Sequence, residues 1–431
     1  MVPLRQRVDF YLAAVSGSRL WYFNFMLTLV SIVFGLATIS GRSGVKISAV
    51  VLSSASFVIW VADWIRHRAA SRNLSPREVH PAFNGLRVES GTVIRFPRVG
   101  PVREKWLAEL AREKRFDVAV SWDEIDSELP GTKARFRWSR RRKEISVKVR
   151  PFVNAVLANV YEHNRGSLFN GKVVRQDEDL SADVLRSEKG TVNLSRTRYF
   201  SMVVTNYLVE RDLVDGKGRV VFRGSSLVTG APGDPLETLK ESSLANVIGA
   251  STLAFAEDNL AVLVRQSSNS LSSGLLWAPG SGSMDLRDVR SLRFVRSQPL
   301  AAIIRATMER ELTEEASLQP DEIMWTEING YFRWVNKGGK PEYVGVTRLQ
   351  GNANDFKGRR VRLTERGYVD SVETVTIDLE RLMAEPSSLR CIESEEVRVA
   401  VSMPLFMCLR AFGRRLQSDE RLRRQFIPSR R

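Results

Sequence analysis

Three glutamates of this 431-residue chain have a spacing that can do chemistry. Glu311, Glu314 and Glu315 lie three and four residues apart, so a helix would gather their carboxylates on one side. Such carboxylates repel one another, and a divalent cation such as Mg²⁺ would turn that repulsion into binding. Arg310 can also neutralise and orient one of them. The alternative is an acidic helix face in water, so the sequence leaves Mg²⁺ open as a cofactor and establishes none.

The segment that carries these glutamates has the pattern of a helix. Ser297 can cap its start, Pro299 suits its first turn, and Pro320 lies beyond its end. Apolar residues recur every four positions and predict a buried stripe of Leu300, Ile304, Met308 and Leu312.

The nine residues from Arg310 to Leu318 resemble the second half of the Nudix box, whose pattern is REUxEExGU with U an aliphatic residue. The resemblance implies that Glu311, Glu314 and Glu315 bind a divalent metal ion. It also implies structural roles in the box for Arg310, Leu312 and Leu318.

The front half of the box departs from the family pattern. Ser317 stands where the family has glycine, and Arg296 and Ala302 fall where it has an upstream Gly and Glu. This degenerate pattern favours a domain that is not an enzyme, and no residue is assigned as catalytic. An active enzyme with this box would be a Nudix-type phosphoanhydride hydrolase.

Strand patterns flank the box on both sides. Residues 251–266 predict one strand hairpin, residues 327–349 a second, and residues 372–379 a further strand followed by a helix over 395–415. The resemblance covers about residues 250–415 and implies an α/β/α sandwich. The fold class that we expect is therefore α/β.

Two features are candidates for binding phosphate. The segment GSGSMD would form a loop that offers backbone N–H groups, or simply a flexible turn. A basic run over residues 133–150 can meet nucleotide phosphates or anionic lipid headgroups, or form a solvated face. The candidate residues are Gly280, Ser281, Gly282, Arg140, Arg141 and Arg142.

The N-terminal region has the composition of a membrane anchor. Residues 20–41 carry no formal charge, and residues 47–65 carry one, on Asp63. Each stretch is long enough to cross a bilayer, and a second span argues against a signal peptide. Arginines before the first stretch and after the second place both termini in the cytoplasm. We expect a two-span protein of the cell inner membrane.

The overall composition excludes several classes of protein. Apolar residues make up 43% and charged residues 26%, which predicts a folded core rather than disorder. Two cysteines and three histidines cannot build a disulfide framework or a zinc site. The formal charge of +16 suits an anionic partner. No motif predicts sequence-specific binding of DNA.

These patterns divide the chain into five segments. They are a cytoplasmic segment (1–19), a hairpin of two transmembrane helices (20–65, with spans of about 20–40 and 47–65), a linker (66–85), an α+β extension (86–245), and a Nudix-like domain with a basic C-terminal tail (246–431). The fold of the extension stays open: it can continue the Nudix-like core or form a separate sensing module.

Two spans before a Nudix-like cytoplasmic domain resemble the transmembrane Nudix-type effectors of bacterial cyclic-oligonucleotide-based antiphage signalling systems (CBASS). The resemblance implies a cytoplasmic domain that senses a cyclic oligonucleotide, oligomerisation of the spans into a homo-oligomer, membrane disruption and abortive infection. The partners would be the cyclic nucleotide and the lipid bilayer. The first alternative is a membrane-anchored, Mg²⁺-dependent Nudix hydrolase of nucleoside diphosphate derivatives. The second is a scaffold or receptor.

Overall fold

The computed structural model describes residues 74–79, 88, 90–97, 117–142, 145–163, 170–228, 236–267, 277–290, 298–362 and 368–427. The predicted transmembrane hairpin (20–65) and the segment before it lie outside these residues. Among the described residues, none of the helices combines the length and the apolar character that crossing a bilayer requires.

Strands occur throughout the described residues. In chain order they are β1 (Leu74–Glu78), β2 (Thr92–Arg95), β3 (Val118–Ser121), β4 (Arg135–Arg142), β5 (Lys172–Gln176), β6 (Thr191–Arg198), β7 (Arg211–Asp215), β8 (Val220–Arg223), β9 (Gly249–Phe255), β10 (Ala261–Gln266), β11 (Trp277–Ala278), β12 (Gly280–Ser283), β13 (Gln298–Pro299), β14 (Ile323–Trp334), β15 (Lys340–Leu349) and β16 (Val369–Val375).

Helices lie between many of these strands and at the C-terminal end of the described residues. In chain order the α-helices are α1 (Asp123–Glu128), α2 (Val153–His163), α3 (Ala182–Arg186), α4 (Tyr199–Val203), α5 (Leu286–Arg290), α6 (Leu300–Glu315), α7 (Ala353–Phe356), α8 (Leu379–Ala384), α9 (Glu395–Val399), α10 (Met403–Ser418) and α11 (Glu420–Phe426). Short 3₁₀ turns connect several of them.

The smaller of two compact units contains a three-stranded antiparallel sheet in the order β1-β7-β8, with helix α2. Strand β1 lies inside the predicted linker 66–85, so the linker prediction is wrong for these residues. Pro76 is tolerated because β1 is an edge strand, where a missing N–H removes no bond from the ladder. The partner strand β7, more than 130 residues away, provides a pairing that local sequence does not reveal.

The larger unit is built on a nine-stranded mixed sheet. Its main order is β11-β10-β9-β15-β14-β3-β2, with β12 also paired to β9 and β16 to β10. Strands β9 and β15 run parallel, and the other pairs are antiparallel. The predicted hairpins β9–β10 and β14–β15 are confirmed. The mixed α/β class is confirmed as well.

Helices cover both faces of the large sheet. On one face, Leu253 and Phe255 pack with helix α10. The ring centroids of Phe255 and Phe412, a residue of α10, lie 5.4 Å apart. On the other face, Ala250 and Tyr343 pack with helix α6. Successive residues of a strand point to opposite faces, so each strand contributes to both cores.

The helix predicted over 395–415 is instead two helices. Helix α9 ends at Val399, and α10 begins after Ser402, whose side chain accepts a hydrogen bond from the backbone N–H of Leu405. Pro404 lies in the first turn of α10, the position where a missing N–H breaks no helical bond. Pro404 therefore lies at the start of a second helix and not in the interior of a single long helix.

The predicted extension (86–245) is not a single module. Strands β2 and β3 join the large sheet through β14, and a four-stranded sheet in the order β13-β4-β6-β5 belongs to the same unit. The described residues 145–163 and 211–224 belong to the smaller unit. The compact units therefore do not divide at residue 245, because strand pairing links distant parts of the chain.

Candidate functional site

Helix α6 places the predicted site residues. Its stripe of Leu300, Ile304, Met308 and Leu312 is fully buried, as the sequence predicts. Pro299 occupies the position just before the helix, and Ser297 lies outside the described residues. The buried stripe fixes the rotation of the helix about its axis, and this rotation decides where the glutamates of its last turn point.

A glycine-containing strand lies directly against this helix. Gly280, Ser281 and Gly282 form β12, which pairs antiparallel with β9, so the prediction of a loop at these residues is wrong. A Cβ at Gly280 would lie 2.9 Å from the Cα of Leu312. Only glycine permits this close approach of strand and helix. Ladder pairing and helix packing together turn a sequence typical of a loop into a strand.

The three glutamates do not share one partner. The carboxylates of Glu311 and Glu314 each lie 2.9 Å from the same guanidinium nitrogen, Nη1 of Arg310. Glu315 instead accepts a hydrogen bond of 2.8 Å from the backbone N–H of Ser281. Two carboxylates thus share one arginine, while the third attaches the helix to β12.

Arg310 has a further carboxylate partner, Asp288 of helix α5. Its Nε and Nη2 lie 2.7 Å and 2.9 Å from the two oxygens of Asp288, and Nη2 also donates to the carbonyl of Ser283 at 3.1 Å. Thr307 donates to the same carboxylate at 3.0 Å. We call Arg310, Asp288, Glu311 and Glu314 the Arg310 cluster. Asp288 was not among the predicted residues, since no local spacing links it to Arg310, 22 positions away.

The pKa values of Glu311 and Arg310 are both shifted in this cluster. Desolvation raises the pKa of Glu311 to about 7, although the charge of Arg310 acts to lower it. Burial alone would lower the pKa of Arg310, but its hydrogen bond to Asp288 and the charge of Glu311 raise that pKa instead. Arg310 is therefore a permanent cation beside a carboxyl group that titrates near neutrality.

The arrangement of the three glutamates does not fit a magnesium site. One oxygen of each glutamate already contacts Arg310 or the N–H of Ser281. Within the described residues, no group of three or more acidic, histidine or cysteine side chains is arranged to hold a metal ion. The cation that offsets the repulsion of the carboxylates is the protein's own guanidinium group.

The remaining predicted residues are not members of the Arg310 cluster. Leu318 is buried in an apolar cluster with Ala316 and Leu349. The arginines of the basic run, Arg140, Arg141 and Arg142, end strand β4 of the four-stranded sheet. Their side chains lie outside what the structure describes, so their role in binding phosphate stays a prediction.

No protein-family model and no curated protein matches this chain.

Proposed function

We propose that the chain is a membrane effector of an antiphage cyclic-nucleotide signalling system. Residues 20–65 anchor it in the inner membrane, and its Nudix-like cytoplasmic domain senses a cyclic oligonucleotide. Ligand binding drives oligomerisation of the spans, membrane disruption and abortive infection. The observation that supports the absence of hydrolysis is that Asp288, Glu311 and Glu314 each contact Arg310, so these carboxylates have a protein partner where a hydrolase would use a metal ion.

Three features support a Nudix-like domain. Helices α6 and α10 lie on opposite faces of a mixed sheet. The glutamate-bearing helix packs closely on the glycine-containing strand β12. Ser317, which replaces the glycine of the family pattern, has a φ of 54°, in the left-handed region that glycine adopts most readily. At Ser317 the backbone therefore has a conformation that suits the glycine of the family pattern.

A gating mechanism follows from this proposal. A ligand shifts an assembly equilibrium only by its difference in affinity between the dispersed and the assembled states. A site that binds the ligand without consuming it keeps that difference for as long as the ligand is present. A sensor of this kind therefore needs no hydrolytic activity.

The alternative, a Mg²⁺-dependent Nudix hydrolase, is favoured by one observation. A carboxyl group with a pKa of about 7, such as that of Glu311, suits a general base or acid at neutral pH. The direct contacts of Glu311 and Glu314 with Arg310 argue against it, because Arg310 places a positive charge beside the position that the metal ion would occupy.

A leakage experiment tests both functions. The full chain is reconstituted into liposomes that contain a self-quenching dye, and a panel of cyclic di- and trinucleotides is added with Mg²⁺. We expect one cyclic nucleotide to release the dye and to be recovered intact. Glu314→Gln should leave this response unchanged, as should the control Asp321→Asn, which removes an exposed carboxylate outside the Arg310 cluster.

Two outcomes would contradict the proposal. Turnover of a nucleotide that Glu314→Gln abolishes, and Asp321→Asn does not, would establish the hydrolase. Dye retention with every cyclic nucleotide, in liposomes shown to contain the folded protein, would exclude a cyclic-nucleotide-gated effector.

A further inference from the structure

One end of the four-stranded sheet concentrates positive charge. In the register of β5 and β6, Lys172 lies opposite Arg198 and Val174 lies opposite Arg196. On the other side of β6, Arg142 of β4 lies beside Arg196. Residues two apart on a strand, and direct cross-strand partners, share one face of a sheet. Lys172, Arg196 and Arg198 therefore share one face at an end of the sheet where three strands contribute basic residues.

Among the residues that the structure describes, these charges have no acidic partners. Throughout the described part of the chain, none of Lys172, Arg196 and Arg198 forms an ion pair or a side-chain hydrogen bond. Other basic side chains of this unit have acidic partners, for example Lys133, which pairs with Glu188. Like charges on directly opposite residues are destabilising, and an anion bound between them would remove that repulsion.

The basic end of the sheet adjoins the Arg310 cluster. Strand β5 pairs with the segment between β12 and α5, where the N–H of Val174 donates to the carbonyl of Met284 at 2.9 Å and Val173 bridges to Asp285. Asp288 follows three residues later. Tyr199, directly after Arg198, has a pKa raised well above its usual value by burial, with a contribution from the charge of Glu311.

We propose that Lys172, Arg196 and Arg198 form a binding site for a ligand that carries two phosphate groups. Neighbouring strands are about 5 Å apart, and residues two apart on a strand are about 6.6 Å apart. Cations with these separations can contact two anionic groups of one molecule. Arginine suits phosphate because its planar guanidinium group donates two parallel hydrogen bonds. The site rests on the proposed function, for which it supplies the surface that recognises phosphate.

Inorganic pyrophosphate is the probe for this site. Calorimetric titration of the full chain, in one non-ionic detergent, should detect pyrophosphate binding that weakens with added salt. Lys172→Gln and Arg196→Gln should each weaken binding about 10-fold or more, the loss expected for one charge-assisted hydrogen bond. Lys189→Gln is the control, since it removes another exposed charge, from the turn before β6, and it should bind pyrophosphate as the unmodified protein does.

The site is refuted if the unmodified protein does not bind pyrophosphate, or if Lys189→Gln weakens binding as much as Arg196→Gln. Since Lys172 and Arg196 are exposed, their variants should keep the melting temperature of the unmodified protein. A loss of binding that accompanies a lower melting temperature would reflect misfolding and would also count against the site. Dihexanoyl-phosphatidylglycerol, used below its micellar concentration, tests whether a lipid headgroup competes for the site. If it displaces bound pyrophosphate at concentrations lower than those at which pyrophosphate itself binds, the site would be assigned to a lipid headgroup instead.

The site and the proposed function can fail separately. Cyclic-nucleotide-induced leakage that keeps its dose dependence in Arg196→Gln would show that this site does not recognise the cyclic nucleotide and would leave the function standing. Pyrophosphate binding that is lost in Lys172→Gln and Arg196→Gln, in a protein that no cyclic nucleotide induces to leak, would support the site and exclude the function.

Discussion

Replacing Arg310 by methionine removes the cation that three carboxylates share. The side chain of Asp288 is 3% exposed and that of Arg310 17%, so the pair is largely out of water. Breaking a buried pair by removing one partner costs about 3–5 kcal/mol. Glu311 can limit this cost by taking up a proton, and Glu314 is partly exposed. We therefore expect a loss in the free energy of unfolding of about 3 kcal/mol at pH 8, the low end of that range.

The loss should depend on pH with a defined sign. Without Arg310 the pKa of Glu311 rises above its value of about 7, while that of an unfolded glutamate stays near 4.3. The native state then binds this proton more tightly than the unfolded chain does. The contribution of Glu311 is most favourable below the unfolded pKa and is lost as pH rises through the native pKa. The stability deficit of Arg310→Met should therefore be smaller at pH 5 than at pH 8.

Urea unfolding of the full chain, followed by tryptophan fluorescence at both pH values in the same detergent, measures this deficit. Arg287→Met is the matched control: Arg287 contacts Glu314 at 3.5 Å, but its side chain is 62% exposed, and exposed pairs contribute about 0–1 kcal/mol. An unfolding midpoint that does not change in Arg310→Met at pH 8, or an equal loss in Arg287→Met, would refute the reasoning. Millimolar Mg²⁺ that restored the stability of Arg310→Met would show that the carboxylates accept a metal ion once arginine is gone.

Two further predictions concern the same region. Glu311→Gln removes a carboxyl group with a raised pKa. The free energy of unfolding of this variant, relative to that of the unmodified protein, should therefore rise between about pH 4.5 and 7, by roughly 3 kcal/mol at most. Equal pH dependence of the two proteins in urea unfolding would contradict this. Gly280→Ala places a Cβ 2.9 Å from the Cα of Leu312, and overpacking of this kind costs about 1–3 kcal/mol. Gly131→Ala meets nothing within 4 Å and should keep its melting temperature; a similar fall in both glycine variants would rule out the close contact as the cause.

The sequence predicted those features of the fold that depend on residues close together in the chain. The stripe from Leu300 to Leu312 and the strand hairpins β9–β10 and β14–β15 formed as expected, because the period of apolar residues reports directly on helix and strand faces. The break between α9 and α10 also had a local signal, Pro404, but the prediction of one continuous helix did not use it. The predicted transmembrane hairpin lies outside the described residues and stays a prediction.

Contacts between distant segments could not be read in the same way. Gly280–Ser283 has the composition of a turn and becomes a strand only because β9 and helix α6 pack against it. The residues 74–78, in the predicted linker, become a strand because β7 pairs with them. In both cases a tertiary partner overrides local propensity.

By itself, the sequence determined that a buried helix carries Glu311, Glu314 and Glu315 within one turn, since the spacing of apolar and acidic residues fixes a helix face. Only the tertiary structure decided what those carboxylates contact. It placed Asp288 on Arg310 and set the register that gathers basic residues at one end of the four-stranded sheet. The physical reason is that these neighbours meet through strand pairing and helix packing across long separations in the chain, and no local periodicity encodes such meetings.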